Sequence, residues 1–84
     1  MKKVIRYTAA WCGPCRIYAS TFDKVASNNP GIVFETVDVD NNPLQAQNHN
    51  IRSVPTTVVL ENGNVVRSVS GVLQEKELQA LVVS

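Results

Sequence analysis

Two hydrophobic rhythms alternate along this chain. Residues 3–8 (KVIRYT) and 32–39 (IVFETVDV) are short runs rich in β-branched and aromatic side chains, and both read as strands. Between them Ile17, Tyr18, Phe22, Val25 and Ala26 recur at helical spacing, predicting a helix that starts at Cys12–Cys15 and stops at Asn28-Asn29-Pro30-Gly31. Asn42 and Pro43 then stand as the cap and first position of a short polar helix. A strand, a helix and a second strand in this order imply a right-handed parallel crossover.

The second half changes rhythm. Residues 56–60 and 65–70 are short strands joined across Glu61-Asn62-Gly63-Asn64, and Asn-Gly is a strong signal for a tight antiparallel hairpin. After Gly71, residues 74–83 carry Leu78, Leu81 and Val82 as an apolar stripe on a last helix that has no strong cap signal. The expected fold is α/β: a βαβ unit followed by a ββα unit, giving a four-stranded mixed sheet with helices on both faces. With 84 residues, the whole span 1–84 is expected to form one domain.

Charge narrows the partners. A formal net charge of +1 offers no broad field for nucleic acid or an anionic membrane, so neither is expected as a partner. The opening MKKVIR resembles a signal peptide only in its lysines, because Arg6 interrupts the apolar run such a peptide needs; Lys2 and Lys3 read as the solvated start of a strand. No apolar run approaches the roughly 18 residues of a membrane span. The expectation is a soluble, cytoplasmic chain, and in that compartment a thiol pair is more often catalytic or metal-binding than structural.

Both cysteines lie in Trp11-Cys12-Gly13-Pro14-Cys15. A staple between them would close almost no loop, so their spacing calls for a chemical reason. Two cysteines two residues apart serve as a redox dithiol, as half of a zinc site, or as a haem attachment. Haem attachment needs histidine after the second cysteine, where this chain has Arg16. Within one chain only His49 could join the thiols, one ligand short of a closed zinc site, which leaves zinc shared between two chains open. No metal is expected.

Position favours the dithiol. At a helix start, unpaired N–H groups and the helix dipole stabilise a thiolate, so Cys12 is the expected nucleophile. Gly13 lets the backbone turn and expose the sulfur, and Pro14 falls in the first turn, where its missing N–H costs little. Cys15, one turn on and deeper, is the expected resolving thiol, with the Cys12–Cys15 disulfide itself the only redox group and no added cofactor.

At these residues the chain resembles the thioredoxin family. WCGPC is that family's active-site sequence, and the spacing to Ser53-Val54-Pro55-Thr56 is similar too; Asp40-Asn41-Asn42-Pro43, Ile51-Arg52, Asn62-Gly63 and Gly71 also match. The resemblance implies a minimal thioredoxin fold, a cis Val54–Pro55 bond, and a substrate groove lined by Trp11, Val54, Pro55 and Gly71. It also implies a protein-disulfide reductase, monomeric, with disulfide-containing proteins as substrates and a thioredoxin reductase as electron donor. The Gly13-Pro14 pair is associated with reducing members.

Three departures follow. The N-terminal strand and helix of typical members are absent, leaving a core similar to that of glutaredoxins and one sheet edge more exposed. The buried aspartate that typically helps deprotonate the resolving thiol is replaced by Arg6. Its companion lysine matches Thr36, and the proline that kinks the active-site helix matches Ser20. Strand parity puts Asp38 on the face of Thr36, so Arg6 is expected either to pair with Asp38 behind Cys15 or to extend its charged end to solvent.

His49, among Gln45, Gln47, Asn48 and Asn50, reads as a surface residue, and Asn50 as a left-handed helix end. Tyr7 and Tyr18 read as core or groove-edge residues, Trp11 as a contact surface, and Glu75, Lys76 and Glu77 as a solvated face. Two other functions compete with a thioredoxin-type reductase: a glutathione-dependent, glutaredoxin-like reductase, and a binding subunit of a larger enzyme in which the thiols are incidental.

Overall fold

A computed structural model describes all residues, 1–84. The chain runs β1 (Lys2–Thr8), α1 (Gly13–Ser27), β2 (Val33–Asp38), α2 (Pro43–Asn48), β3 (Thr56–Glu61), β4 (Asn64–Ser70) and α3 (Glu75–Val83). The strands form one mixed sheet ordered β2-β1-β3-β4, parallel between β1 and β2 and antiparallel elsewhere. No helix is long and apolar enough to cross a membrane.

The inner strand β1 is covered on both faces, so its side chains from Val4 to Tyr7 are all buried. On one face Val4 and Val59 pack against Tyr18, Phe22 and Val25 of α1 and Leu78 and Val82 of α3. On the other, Ile5, Tyr7 and Val58 pack against Ala46 of α2. The two-residue period of a strand therefore directs Arg6, like Val4, toward α1. Edge strand β2 is half-buried, whereas β4 is exposed along nearly its whole length.

Helix α1 buries Cys15, Tyr18, Phe22 and Val25. Ile17, expected on that stripe, is 71% exposed, because it precedes Tyr18 by one residue, which rotates it about 100° around the helix. The hairpin turns through Asn62 (φ 52°) and Gly63 (φ 87°), the two positive φ values a tight primed turn requires. Asn50 also adopts the expected left-handed conformation, φ 58°.

Helix α3 does have a cap, one the sequence reading missed. Glu77 Oε1 accepts the backbone N–H of Gln74, the residue before the helix, at 2.9 Å, as in a capping box begun by Gln rather than Ser or Thr. Glu77→Ala is expected to lower unfolding free energy by about 1 kcal/mol in urea denaturation.

Both tyrosines are fully buried, and burial pushes both phenol pKa values above their ordinary value. A raised phenol pKa contributes stability that is fully present below the unfolded-state value near 10 and is lost as pH rises through the folded value. At a pH near 10, tyrosinate absorbance should therefore be lower in the folded protein than in the urea-unfolded chain, where it is about half-developed.

Candidate active site

Cys12 is the N-cap of α1, with extended backbone angles (φ −90°, ψ 104°), and its Sγ accepts the backbone N–H of Cys15 at 3.2 Å. A sulfur thus occupies the place usually filled by a serine or aspartate oxygen. Pro14 lies in the first turn, which contains no acidic residue to oppose a negative charge on that sulfur. Cys12 and Cys15 form a disulfide with their Cα atoms 5.3 Å apart, so the structure is of the oxidised chain. Cys12 is only 5% exposed and Cys15 1%. The expected exposure of the Cys12 sulfur is therefore corrected: Ala9, Val39 and Val54 enclose the pair.

The loop before β3 faces this helix start. The Val54–Pro55 peptide is cis, and the Val54 carbonyl oxygen lies 3.8 Å from Cys12 Sγ. Thr56 Oγ1 donates to the Ser53 carbonyl at 2.7 Å, and Gly71 N–H donates to the Pro55 carbonyl at 2.8 Å. Gly71 has φ 98°, a conformation that favours glycine, so the end of β4 is held against the proline loop.

Trp11 is 69% exposed, and its indole N–H donates to Asp40 Oδ2 at 2.9 Å. Trp11 and Val54 border a cavity of about 130 Å³ together with Val39, Ile51, Arg52 and Ser53. Of the four expected groove residues these two line it, while Pro55 is buried beside it and Gly71 joins through the Pro55 carbonyl. Asp40 had no assigned role in the sequence reading, and no local signal announces a tether across 29 residues.

Behind Cys15 lies Arg6, only 8% exposed. Its Nη1 donates to the Cys15 carbonyl at 3.4 Å and its Nη2 to Thr36 Oγ1 at 3.2 Å, while its guanidinium carbon sits 5.6 Å from the Phe22 ring centre. Both expectations for Arg6 are corrected. It does not extend to solvent, and it forms no ion pair with Asp38: the ion pairs within 4 Å are Lys3–Glu35 and Lys24–Glu75. Asp38 ends β2, where its Oδ1 accepts the N–H groups of Asp40 at 2.8 Å and Asn41 at 3.4 Å, a commitment to its own turn. Burial lowers the Arg6 pKa, with Asp23 and Tyr18 opposing, and the group remains a cation at neutral pH.

His49 is corrected as well. It is half-buried, and its Nδ1 lies 2.6 Å from the Tyr7 hydroxyl, so it closes α2 over β1. No group of three or more His, Cys, Asp or Glu is placed to hold a metal ion.

A cysteine pair capping a helix, opposed by a cis-proline loop on a four-stranded mixed sheet, defines a dithiol protein of the thioredoxin-fold class. The comparison with known families narrows this further: the chain belongs to the thioredoxin family, whose model, described as Thioredoxin, matches residues 1–84. It is 42% identical over 71 residues to thioredoxin C-3 of Corynebacterium nephridii, covering 84% of this chain and 49% of that protein. It is 38% identical to an H-type thioredoxin of Oryza sativa subsp. indica, covering 95% and 65% respectively. Among solved structures, thioredoxin of Fasciola hepatica superposes with a TM-score of 0.91 at 33% identity, covering 98% of this chain and 78% of that one. The chain thus spans about half to two thirds of the length of these two curated relatives.

Proposed function

We propose that this chain is a protein-disulfide reductase. The observation that carries the reading is the Cys12 sulfur acting as N-cap of α1, with Cys15 within disulfide reach one turn later. In the reduced chain the Cys15 N–H and the positive helix end stabilise the Cys12 thiolate. That thiolate attacks one sulfur of a substrate disulfide, forming the Cys12–substrate bond as the substrate S–S bond breaks. The first substrate thiolate leaves and takes a proton from solvent. Cys15, as thiolate, then attacks Cys12, the Cys12–Cys15 disulfide forms, and the second substrate thiol departs. Two electrons pass to the substrate, and a donor must return them.

The groove beside Trp11 and Val54 would hold an extended segment of the substrate protein. Membership of the thioredoxin family supports a thioredoxin reductase as electron donor and the cytoplasm, a reducing compartment, as the place of work. No further cofactor is required by this chemistry. Reduction of insulin disulfides, supplied with electrons by a thioredoxin reductase and separately by glutathione, tests the reading. Sustained turnover with the reductase is expected; turnover with glutathione alone, or with neither donor, would overturn it.

A further inference from the structure

Arg6, a buried cation, bonds the carbonyl of the resolving residue Cys15, and the carboxylate in the lining of the adjoining cavity, Asp38, is engaged through Oδ1 with its own turn. Cys15 borders a cavity of about 240 Å³ with Arg6, Thr8, Arg16 and Asp38. Its mouth lies at the exposed residues Ala10 and Arg16. We propose that Arg6 is a positioning residue for the resolving step: its positive charge stabilises the Cys15 thiolate, and the thiol proton leaves to water in this cavity rather than to a side-chain base. This rests on the disulfide-reductase reading.

The surrounding charges support the assignment. From β1, Arg6 reaches the Cys15 carbonyl, and no carboxylate lies within 4 Å to neutralise it. Its Nε is buried without a hydrogen-bond partner. From β2, Asp38 is the one carboxylate lining the cavity, and its Oδ1 already accepts the backbone N–H groups of Asp40 and Asn41, which ties the side chain to its own turn. From α1, Arg16 is drawn to the Ala10 carbonyl at the mouth, 3.0 Å away, and the Tyr18 hydroxyl is bonded to Thr57 Oγ1 at 2.6 Å; Asp23 acts on Arg6 without pairing with it. From β3, Thr57 is uncharged.

Two opposing effects then set the Cys15 thiol. For any buried thiol beside a cation, burial opposes ionisation and the opposite charge favours it. At about 240 Å³ the cavity can admit several waters at about 30 Å³ each, so water can take the proton there. In the step itself the Cys15 S–H bond breaks and its proton passes to cavity water. The resulting thiolate forms a bond to Cys12 as the Cys12–substrate bond breaks, and the substrate thiolate takes a proton from solvent. Resolution should follow one ionisation, that of Cys15.

The test titrates Cys15 in the reduced full-length chain carrying Cys12→Ser, by ultraviolet thiolate absorbance and by the pH dependence of alkylation. Adding Arg6→Met, which keeps the aliphatic stem, should raise the midpoint by about one unit or more, and Arg6→Lys should restore most of it. Circular dichroism checks the fold; should the Met variant fail to fold, Arg6→Gln removes the charge while keeping a donor for the Cys15 carbonyl. An unchanged midpoint in the folded neutral variant, or a Lys variant shifted as far as the neutral one, would overturn the proposal. The titration needs no turnover, so its failure is distinguishable from failure of the insulin assay.

Discussion

Cys12→Ser is expected to abolish the proposed disulfide turnover, lowering the rate by more than about 1,000-fold, since removal of an attacking nucleophile costs orders of magnitude. A serine hydroxyl stays protonated at neutral pH, and the same helix start that stabilises a thiolate cannot make it an effective nucleophile toward sulfur. The loss is chemical and not structural, because serine is itself a favoured N-cap and can accept the Cys15 N–H that Cys12 Sγ now accepts. Insulin reduction measures the rate, and circular dichroism should show an unchanged fold. If the double replacement of Cys12 and Cys15 by serine preserved the chain's effect on a partner enzyme, a binding role would replace the catalytic one.

Phe22→Ala should have the largest effect on stability. Phe22 is 2% exposed, its ring lies 6.2 Å from Tyr18 and 5.4 Å from Phe34, and the Arg6 guanidinium rests over it. Truncating a buried phenylalanine costs about 3–5 kcal/mol, against a total of about 4–13 kcal/mol for a domain of this size. The variant should be near its unfolding threshold at 37 °C, with a urea midpoint less than half that of the parent when the total lies at the lower end of that range. It should also lose order around Arg6, because the ring that supports the guanidinium is gone.

The alternation of apolar and polar residues contained most of the fold. All seven elements fell within a residue or two of where periodicity and turn residues placed them, and the Asn62-Gly63 hairpin was legible because only certain residues tolerate positive φ. The cysteine pair was legible for the same local reason, since a helix start and a three-residue separation bring the two sulfurs together. What periodicity conveys is the face a side chain occupies, not the partner it takes there. Arg6 did lie on the face of Thr36 and Asp38, yet the Cys15 carbonyl and the Thr36 hydroxyl took its donors while Asp38 turned to its own loop.

The other departures have related causes. His49 stands in a run of polar residues that reads as surface, and only the crossing of α2 over β1 brings Tyr7 to it. Glu77 is exposed as the solvated face implied, but its capping contact was not legible because the capping residue is Gln74, outside the usual serine, threonine, aspartate or asparagine set. Cys12 capped the helix as expected but was less exposed, because enclosure by Val39 and Val54 depends on segments 27 and more residues away.

Trapping separates the attacking Cys12 from the resolving Cys15. The reduced Cys15→Ser chain is mixed with a disulfide-linked peptide, and the adduct is located by mass spectrometry of its proteolytic fragments. A stable mixed disulfide is expected on Cys12, formed far faster than any adduct on Cys15 of the Cys12→Ser chain. Equal or faster capture through Cys15, or no adduct on Cys12, would contradict it.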